Sequence, residues 1–451
     1  MSDTIAALST PTGPSAIAVV RISGGSALRL AEGIFFKKNP APRRTVRASY
    51  ANLKGEILDD AVFTFFKAPA SYTGEDMLEI SSHGNPFIVQ SILEDLFARG
   101  CRPADPGEFT RRAFMNDKMD LSQAEAVALL IDARSAISLR AAQKQLGGEL
   151  GRRIGALSEE LLDIAALIEA YIDFPDEDLP PEDKARIAES ARSLAEKLSR
   201  LIETSKYSPL VHQGLNMVIA GAPNAGKSSL LNELLGQDRA IVSPVAGTTR
   251  DFISEKLILG DYAVNITDTA GLRDGGGEIE IMGIQKALEK IESSDICLLT
   301  LDTTAPVPAL PDSAKKVMTA QNTIAVLNKC DLPSSKPEAF EKAFSEFPNV
   351  RVSCKSSEGI SQLRNTAIAM IKEYHIRAAA DDILVSARHA AALERAKASI
   401  AAAAEKISLD IPGELAASDI RDALDALGEI TGKTDCEQIL DRIFSRFCIG
   451  K

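Results

Sequence analysis

The 451-residue sequence has six cysteines, at 101, 297, 330, 354, 436 and 448, and no CxxC pair among them. That spacing excludes a zinc knuckle and suggests no disulfide framework. Six cysteines in so long a chain fit a reducing compartment. No run of about 18 apolar residues occurs, so no membrane span is expected. The start, Met1-Ser2-Asp3-Thr4, has no basic stretch leading into an apolar one, so no signal peptide is expected and a cytoplasmic location is. Cations are outnumbered: 51 Lys and Arg face 63 Asp and Glu, a formal net charge of −12. Such a chain does not grip nucleic acid non-specifically as a whole, though a local basic patch is compatible with it. The four histidines, at 83, 212, 375 and 389, do not cluster in sequence, and no catalysis is assigned to them. Internal repeats and low-complexity linkers are also absent.

What is present is the balance of a globular protein, 45% apolar and 25% charged. The length suits roughly two to four domains. Residues 1–118 read as a mixed α/β unit. Ala16–Ile22, Ala61–Phe66 and Met77–Ser81 are strand-like runs, Asn85–Arg99 has helical periodicity, and Pro103–Gly107 is loop punctuation. From Leu121 to about residue 171 the chain is rich in Ala, Leu, Glu and Arg at helical spacing. After a break at Asp173–Asp183, a second helix is expected over Lys184–Ser205. A strand at Asn216–Ala220 opens a further α/β region reaching about residue 373, and Ala-rich helical texture returns after Asp381. The simplest topology is one helical domain, 119–213 and 374–451, interrupted by an inserted domain at 214–373. Two separate helical domains are the alternative.

Chemistry is concentrated in the insert. Gly221-Ala222-Pro223-Asn224-Ala225-Gly226-Lys227-Ser228 fits G-x-x-x-x-G-K-[ST] between a predicted strand and a predicted helix, the context of a P-loop. The glycines let backbone N–H groups approach a phosphate chain, and the helix N-terminus adds a favourable dipole. Lys227 suits the β/γ-phosphates and Ser228 suits Mg²⁺, with Ser229 following. Asp268-Thr269-Ala270-Gly271 follows the strand-like run Ala263–Thr267. Its carboxylate suits the Mg²⁺ shell, and the Gly271 N–H suits the γ-phosphate. Asn328-Lys329-Cys330-Asp331 follows the apolar run Thr323–Leu327. A carboxylate at Asp331 can accept from both N1–H and the 2-amino group of guanine, and adenine offers no such donor pair. Ser353-Cys354-Lys355, after Val350–Val352, is placed to brace the same base. Four motifs in this order, each after a strand, specify a guanine-nucleotide P-loop domain.

Many GTPases orient water with a Gln directly after D-T-A-G; here that position is Leu272. Hydrolysis is therefore either very slow or served by another residue. Gly247-Thr248-Thr249-Arg250-Asp251 lies where a switch-I threonine belongs, and Thr249 can complete the Mg²⁺ shell. Arg273–Ile281 is Gly-rich and acidic, which fits a switch II. Glu278 and Glu280 are its carboxylates able to order a water, and read alone either is equally a solvated loop charge.

The sequence resembles one family along nearly its whole length, the tRNA modification GTPase MnmE (TrmE) family. The resemblance rests on V-V-R-I-S-G at Val19–Gly24, Y-T-G-E-D at Tyr72–Asp76, P-G-E-F-T-R-R-A-F at Pro106–Phe114 and N-D-K-M-D-L at Asn116–Leu121. It rests further on the P-loop with Pro-Asn-Ala, G-T-T-R-D, D-T-A-G-L-R, and the closing Cys448-Ile449-Gly450-Lys451. The resemblance implies an N-terminal α/β folate-binding domain and a central helical domain interrupted by a Ras-like P-loop G domain. It also implies a homodimer joined through the N-terminal domains.

For the G domain it implies pairing across the nucleotide when K⁺ is bound, with K⁺ ligands at Asn224, Ser243, Val245 and Thr248 in the loop Ser243-Pro244-Val245-Ala246-Gly247-Thr248-Thr249. Glu280 falls at the position of the water-orienting glutamate. For the N-terminal domain it implies a tetrahydrofolate site at Arg21, Glu79, Lys118 and Lys451, with Glu75 a neighbouring carboxylate and Cys448 nearby. Read alone, Arg21 and Lys118 are surface charges.

The activity implied is GTP hydrolysis coupled, with the flavoprotein MnmG and its FAD, to 5-carboxymethylaminomethyl or aminomethyl modification of wobble uridine 34 of tRNAs. The one-carbon donor would be 5,10-methylenetetrahydrofolate, with 5-formyltetrahydrofolate as an analogue. The rival expectation is a GTP-gated RNA-binding switch in ribosome assembly that needs an external activator. It would require an RNA-binding module such as a GXXG loop, and none is evident.

Overall fold

A computed structural model describes residues 3–173, 181–237, 254–268, 288–375, 383–409, 411–433, 437–445, 447–448 and 450. They form two compact units. One comprises 1–131, 145–196 and 392–451, and the other 132–144 and 197–391. No helix among the described residues is long and apolar enough to cross a membrane.

The first unit is built on a six-stranded sheet. Its strands are β1 (Ile5–Leu8), β2 (Ser15–Ser23), β3 (Thr45–Ala51), β4 (Ile57–Phe66), β5 (Met77–Gly84) and β6 (Arg102–Pro103), in spatial order β3-β4-β5-β2-β1-β6. All neighbours are antiparallel except β1 and β6. Period-two alternation decides what each face buries. Ala18, Val20 and Ile22 of β2, Phe63 and Phe65 of β4, and Leu78 and Ile80 of β5 pack with Leu30, Ile34, Ile92 and Leu96 from the helices Ala27–Phe35 and Pro86–Ala98. The rings of Phe35 and Phe63 stack within that core at 4.1 Å. On the opposite face Ile5 and Ala7 meet Ala104, Phe109 and Tyr72, and the odd-numbered residues of β2 and β5 point there.

The helical part of this unit pairs Glu149–Asp173 with Gly413–Thr431. Leu150, Ile154, Leu157, Leu161, Ile164 and Ile168 are buried along one stripe, and Ala416, Ile420, Ala423, Leu427 and Ile430 along the other. Both stripes alternate steps of four and three, the seam that packs helices at about 20°. Gly413 lies against Ile172, so the two helices run antiparallel. The C-terminal segment also docks within this unit. Phe444, Phe447 and Leu440 pack on Leu121 and Ala124, and Ser9 Oγ donates to the Gly450 carbonyl at 3.0 Å. Gly450 has φ +94°, and a Cβ there would stand 2.1 Å from the Leu8 carbonyl oxygen, so only glycine permits this approach.

The second unit is a parallel α/β sheet with one antiparallel edge. Its strands are β7 (Leu215–Ala220), β8 (Ser254–Leu259), β9 (Tyr262–Asp268), β10 (Ile296–Asp302), β11 (Thr323–Asn328) and β12 (Asn349–Arg351), in order β12-β11-β10-β7-β9-β8. Only β8 runs antiparallel, against β9. β10 and β11 are apolar and buried nearly throughout, as a sheet covered on both faces requires. Met217 and Ile219 of β7 face one core, and Val218 and Ala220 the other. The chain leaves β7 between neighbours on opposite sides, which puts a crevice at the carboxyl end of that strand.

The helical stretch beginning at Leu121 is broken more often than its composition implies. It forms Leu121–Asp132, Ala136–Leu146 and Glu149–Asp173. Residues 132–144 belong to the second unit. There Ile137 joins the core, its amide donates to the Asp261 carbonyl at 3.2 Å, and Arg140 pairs with Asp261 at 2.8 Å.

Candidate functional site

The P-loop turns from β7 into the helix Lys227–Gln237. Asn224 takes a left-handed φ of +62° and is exposed. Lys227 is buried, and its ammonium donates to the carbonyls of Gly221 and Ala222, each at 3.0 Å. A charged group is thus held at the floor of the loop that leads into the helix N-terminus, a place suited to an anion. Ser228 and Ser229 follow on the first turn, exposed.

The guanine-type motif closes on the P-loop through one buried side chain. Asn328, at the end of β11, donates from Nδ2 to the Ala225 carbonyl at 2.9 Å, and its Oδ1 accepts from the Cys354 amide at 3.3 Å. Three loops that are far apart in sequence are tied by this amide. Gly226 makes room for it. Its φ is +96°, and a Cβ there would lie 2.2 Å from Asn328 Nδ2. The Ser353–Lys355 segment is braced in turn. Ser353 Oγ accepts from the Ser356 amide at 3.2 Å, and Ser357 donates to Glu233 of the P-loop helix at 2.8 Å. Burial pushes the Cys354 thiol up to about 11, so it fills space as a neutral group. Asp331 and Lys355 are exposed at the rim.

Among the remaining expected nucleotide residues, Asp268 ends β9. Ser243, Pro244, Val245, Ala246, Gly247, Thr248, Thr249, Thr269, Ala270, Gly271, Glu278 and Glu280 lie outside the described residues, as does Lys451.

A second cluster stands on the open face of the N-terminal sheet. Arg21 of β2 and Glu79 of β5 are cross-strand partners, joined at 2.9 Å. The Arg21 guanidinium lies 5.3 Å from the centre of the Tyr72 ring and 5.7 Å from that of Phe109. Tyr72 shares a hydrogen bond with Thr110 at 2.8 Å, and burial raises its phenol above the ordinary value. Glu75 is engaged elsewhere, by Ser23 at 2.8 Å and Arg112 at 3.0 Å. The Lys118 ammonium donates to the Pro69 carbonyl at 3.0 Å. Cys448 is exposed on the docked C-terminal segment. Of the histidines, His83 pairs with Asp59 at 2.8 Å, His212 is half-buried and His389 is buried.

Comparison with known proteins agrees with this arrangement. Residues 4–118 match the family model described as GTP-binding protein TrmE N-terminus, and residues 121–448 match that of the MnmE helical domain. The tRNA modification GTPase MnmE of Opitutus terrae is 46% identical over 451 residues, covering 100% of this chain and 99% of that protein. Those of Akkermansia muciniphila and Aquifex aeolicus are 41% and 38% identical, covering 99% and 100% of this chain and 99% and 100% of those proteins. The chain belongs to the MnmE family of GTPases.

Within this MnmE-family chain, the structure adds residues that motif spacing did not single out. Tyr72 and Phe109 sit inside the quoted Y-T-G-E-D and P-G-E-F stretches, but nothing in a linear motif says that both rings meet Arg21. Asp302 ends the largely apolar β10 and Thr303 follows it; neither carries a motif, yet both bond to the Asn328–Lys329 pair.

Asn328→Ala would leave the Ala225 carbonyl and the Cys354 amide without this partner, at roughly 1–3 kcal/mol for each buried group. GDP affinity, measured by calorimetry, is expected to fall by at least about tenfold. Behind the N-terminal cluster, Glu108 binds Arg102 at 2.6 Å and Arg112 at 2.9 Å. Burial alone would lift its carboxyl, yet the bonds from Arg102, the Asp105 amide and Arg112 hold it below its ordinary value of 4.5. A depressed folded-state value means that this stabilisation is complete above the unfolded value and lost as pH falls through the folded one. Melting temperature should therefore drop less steeply from about pH 5 to about pH 3 in Glu108→Gln than in the unsubstituted protein.

Proposed function

We propose that this chain hydrolyses GTP in its P-loop unit to drive modification of tRNA wobble uridine 34, together with the flavoprotein MnmG, in the cytoplasm. The observation that carries the reading is the Asn328 tie. It joins the phosphate-binding and base-reading loops within a chain matched end to end by MnmE relatives. The functional division follows 1–118 for folate binding and dimerisation, 214–373 for GTP, and 119–213 with 374–451 for the helical domain.

In the GTP site, Lys227 would release the Gly221 and Ala222 carbonyls to meet the β/γ-phosphates. The P-loop amides would hold those phosphates, and Asp331 would read guanine. The donor set suits Mg²⁺, with the exposed Ser228 hydroxyl on the first turn of the helix and Thr249 as ligands and Asp268 nearby. Asn224, already in an exposed left-handed turn, would join Ser243, Val245 and Thr248 as K⁺ ligands. These cations supply the positive charge that stabilises the transferring phosphoryl group. Glu280 would accept a hydrogen bond from the attacking water and orient it, the role that Leu272 cannot fill. The remaining nucleotide contacts run through Ser229, Pro244, Ala246, Gly247, Thr269, Ala270, Gly271, Lys329 and the Ser353–Lys355 segment.

In the N-terminal domain, Arg21 and Glu79 form a donor–acceptor pair flanked by two aromatic rings. That set fits a flat, polar-edged pterin and an acidic tail, with Lys118 and Lys451 as further cations. A tetrahydrofolate held there would supply the one-carbon unit, and ammonium or glycine the nitrogen. Cys448 belongs to the same site in this reading. The chain acts as a homodimer.

GTP turnover in K⁺ and in Na⁺ at matched ionic strength tests the reading. Strong activation by K⁺, reduced by about two orders of magnitude or more in Glu280→Ala, is expected. Equal, slow rates in both salts would reject cation-driven pairing and favour a switch that waits for an external activator.

A further inference from the structure

β10 ends at Asp302, which is the direct partner of Asn328 in the parallel register of β10 and β11. One oxygen of the Asp302 carboxylate lies 2.6 Å from the Lys329 ammonium. The other accepts from the Thr304 amide at 3.0 Å and the Thr304 hydroxyl at 2.6 Å. Both carboxylate oxygens are thus committed, which fixes the side chain. Burial would raise this carboxyl, yet the bonds from Lys329 and Thr304 hold it below its ordinary value, so it is an anion at neutral pH. The next residue repeats the pattern on the backbone. Thr303 is buried and gives both its hydroxyl, at 2.7 Å, and its amide, at 3.2 Å, to the Asn328 carbonyl.

Lys329 needs such support. Its φ is +65°, a conformation that costs a residue with a Cβ roughly 1–2 kcal/mol. It also opens the turn that carries the base-reading carboxylate, closed by the bond from the Leu332 amide to the Lys329 carbonyl at 3.2 Å. Whatever holds Lys329 therefore holds the turn in which Asp331 sits.

We infer that Asp302 is a positioning residue for guanine recognition, acting through Lys329 to fix the Lys329–Leu332 turn and hence the aim of Asp331. The inference rests on the reading of this loop as the guanine site. A fixed Asp331 accepts from N1–H and the 2-amino group together; a loosened one loses most where both donors must be met at once.

The test is calorimetric affinity for GDP and for IDP, whose base lacks the 2-amino group, in the unsubstituted protein, Asp302→Asn, Lys329→Met and the double variant. Melting temperatures are recorded alongside. Asp302→Asn is expected to weaken GDP by about tenfold and IDP by clearly less, narrowing the GDP/IDP ratio, with the loss absent in the Lys329→Met background. If Asp302→Asn does not fold, Thr304→Val frees the same carboxylate and is expected to narrow the same ratio. Binding of GDP unchanged or tightened in the variant overturns the inference. So does equal loss of GDP and IDP, or a loss of the same size with Lys329→Met. Failure of the unsubstituted protein to bind GDP would instead overturn the guanine reading, and this inference with it.

Discussion

The nucleotide unit depends on one buried amide. Asn328 has a donor and an acceptor on a planar group, and the fold uses each against a different loop, Ala225 on one side and Cys354 on the other. A buried amide that lost either partner would bear the desolvation cost of that group, so the three loops have one arrangement that satisfies it. The requirement spreads outward. Gly226 must lack a side chain because Asn328 occupies that volume, and Thr303 must meet the Asn328 carbonyl because the strand has ended. Pre-organisation of this kind is what a recognition site needs, since loops ordered before binding cost less affinity when the ligand arrives.

Sheet topology explains why those loops meet at all. β7 is flanked by β10 on one side and β9 on the other, so the chain leaves its carboxyl end at a divide and the P-loop has room to wrap. β10 and β11 end next to it, bringing Asp302 and Asn328 to the same edge. The N-terminal domain assembles its cluster by another route. Its sheet buries one face under two helices, and a few segments, with Tyr72 and Phe109, cover part of the other. Arg21 and Glu79 fall on that second face because strand residues alternate, and they face each other because β2 and β5 are antiparallel in that register. A partly buried ion pair beside two rings contributes little to stability by itself, and is better understood as a prepared polar surface.

The parts legible in the sequence were those where chemistry fixes residue types at fixed spacing. The P-loop, the Asn328–Asp331 motif and their preceding apolar strands appear in the fold where pattern placed them, with strand limits shifted by a residue or so. β2 and the helix after Asn85 were readable from alternation and periodicity, as were β4 from Ala61 onward and β5 as far as Ser81, while Ile57–Asp60 and Ser82–Gly84 were not read as strand. β3 was passed over although Thr45–Tyr50 alternates polar Thr, Arg and Ser with apolar Val, Ala and Tyr; its half-exposed residues form no apolar run to draw the eye. The helical stretch after Leu121 reads as one texture. Its breaks lie at the Ser135 and Ser138 hydroxyl exchange and at Gly147-Gly148, local signals that composition alone averages away. The ion pair of Asp302 with Lys329 and the rings around Arg21 join residues that only tertiary folding makes neighbours, so no linear motif could display them.

The central claim is that Asp331, aimed by this network, reads guanine by accepting from its two ring-edge donors. Xanthine replaces the 2-amino donor with a carbonyl acceptor, so an amide at position 331 should suit it better than a carboxylate. Affinities of the unsubstituted protein and of Asp331→Asn for GDP and XDP test this directly. The account predicts that preference swaps, with GDP favoured by the first and XDP by the second, each by at least about a hundredfold. Equal affinities for the two nucleotides in both proteins would contradict it.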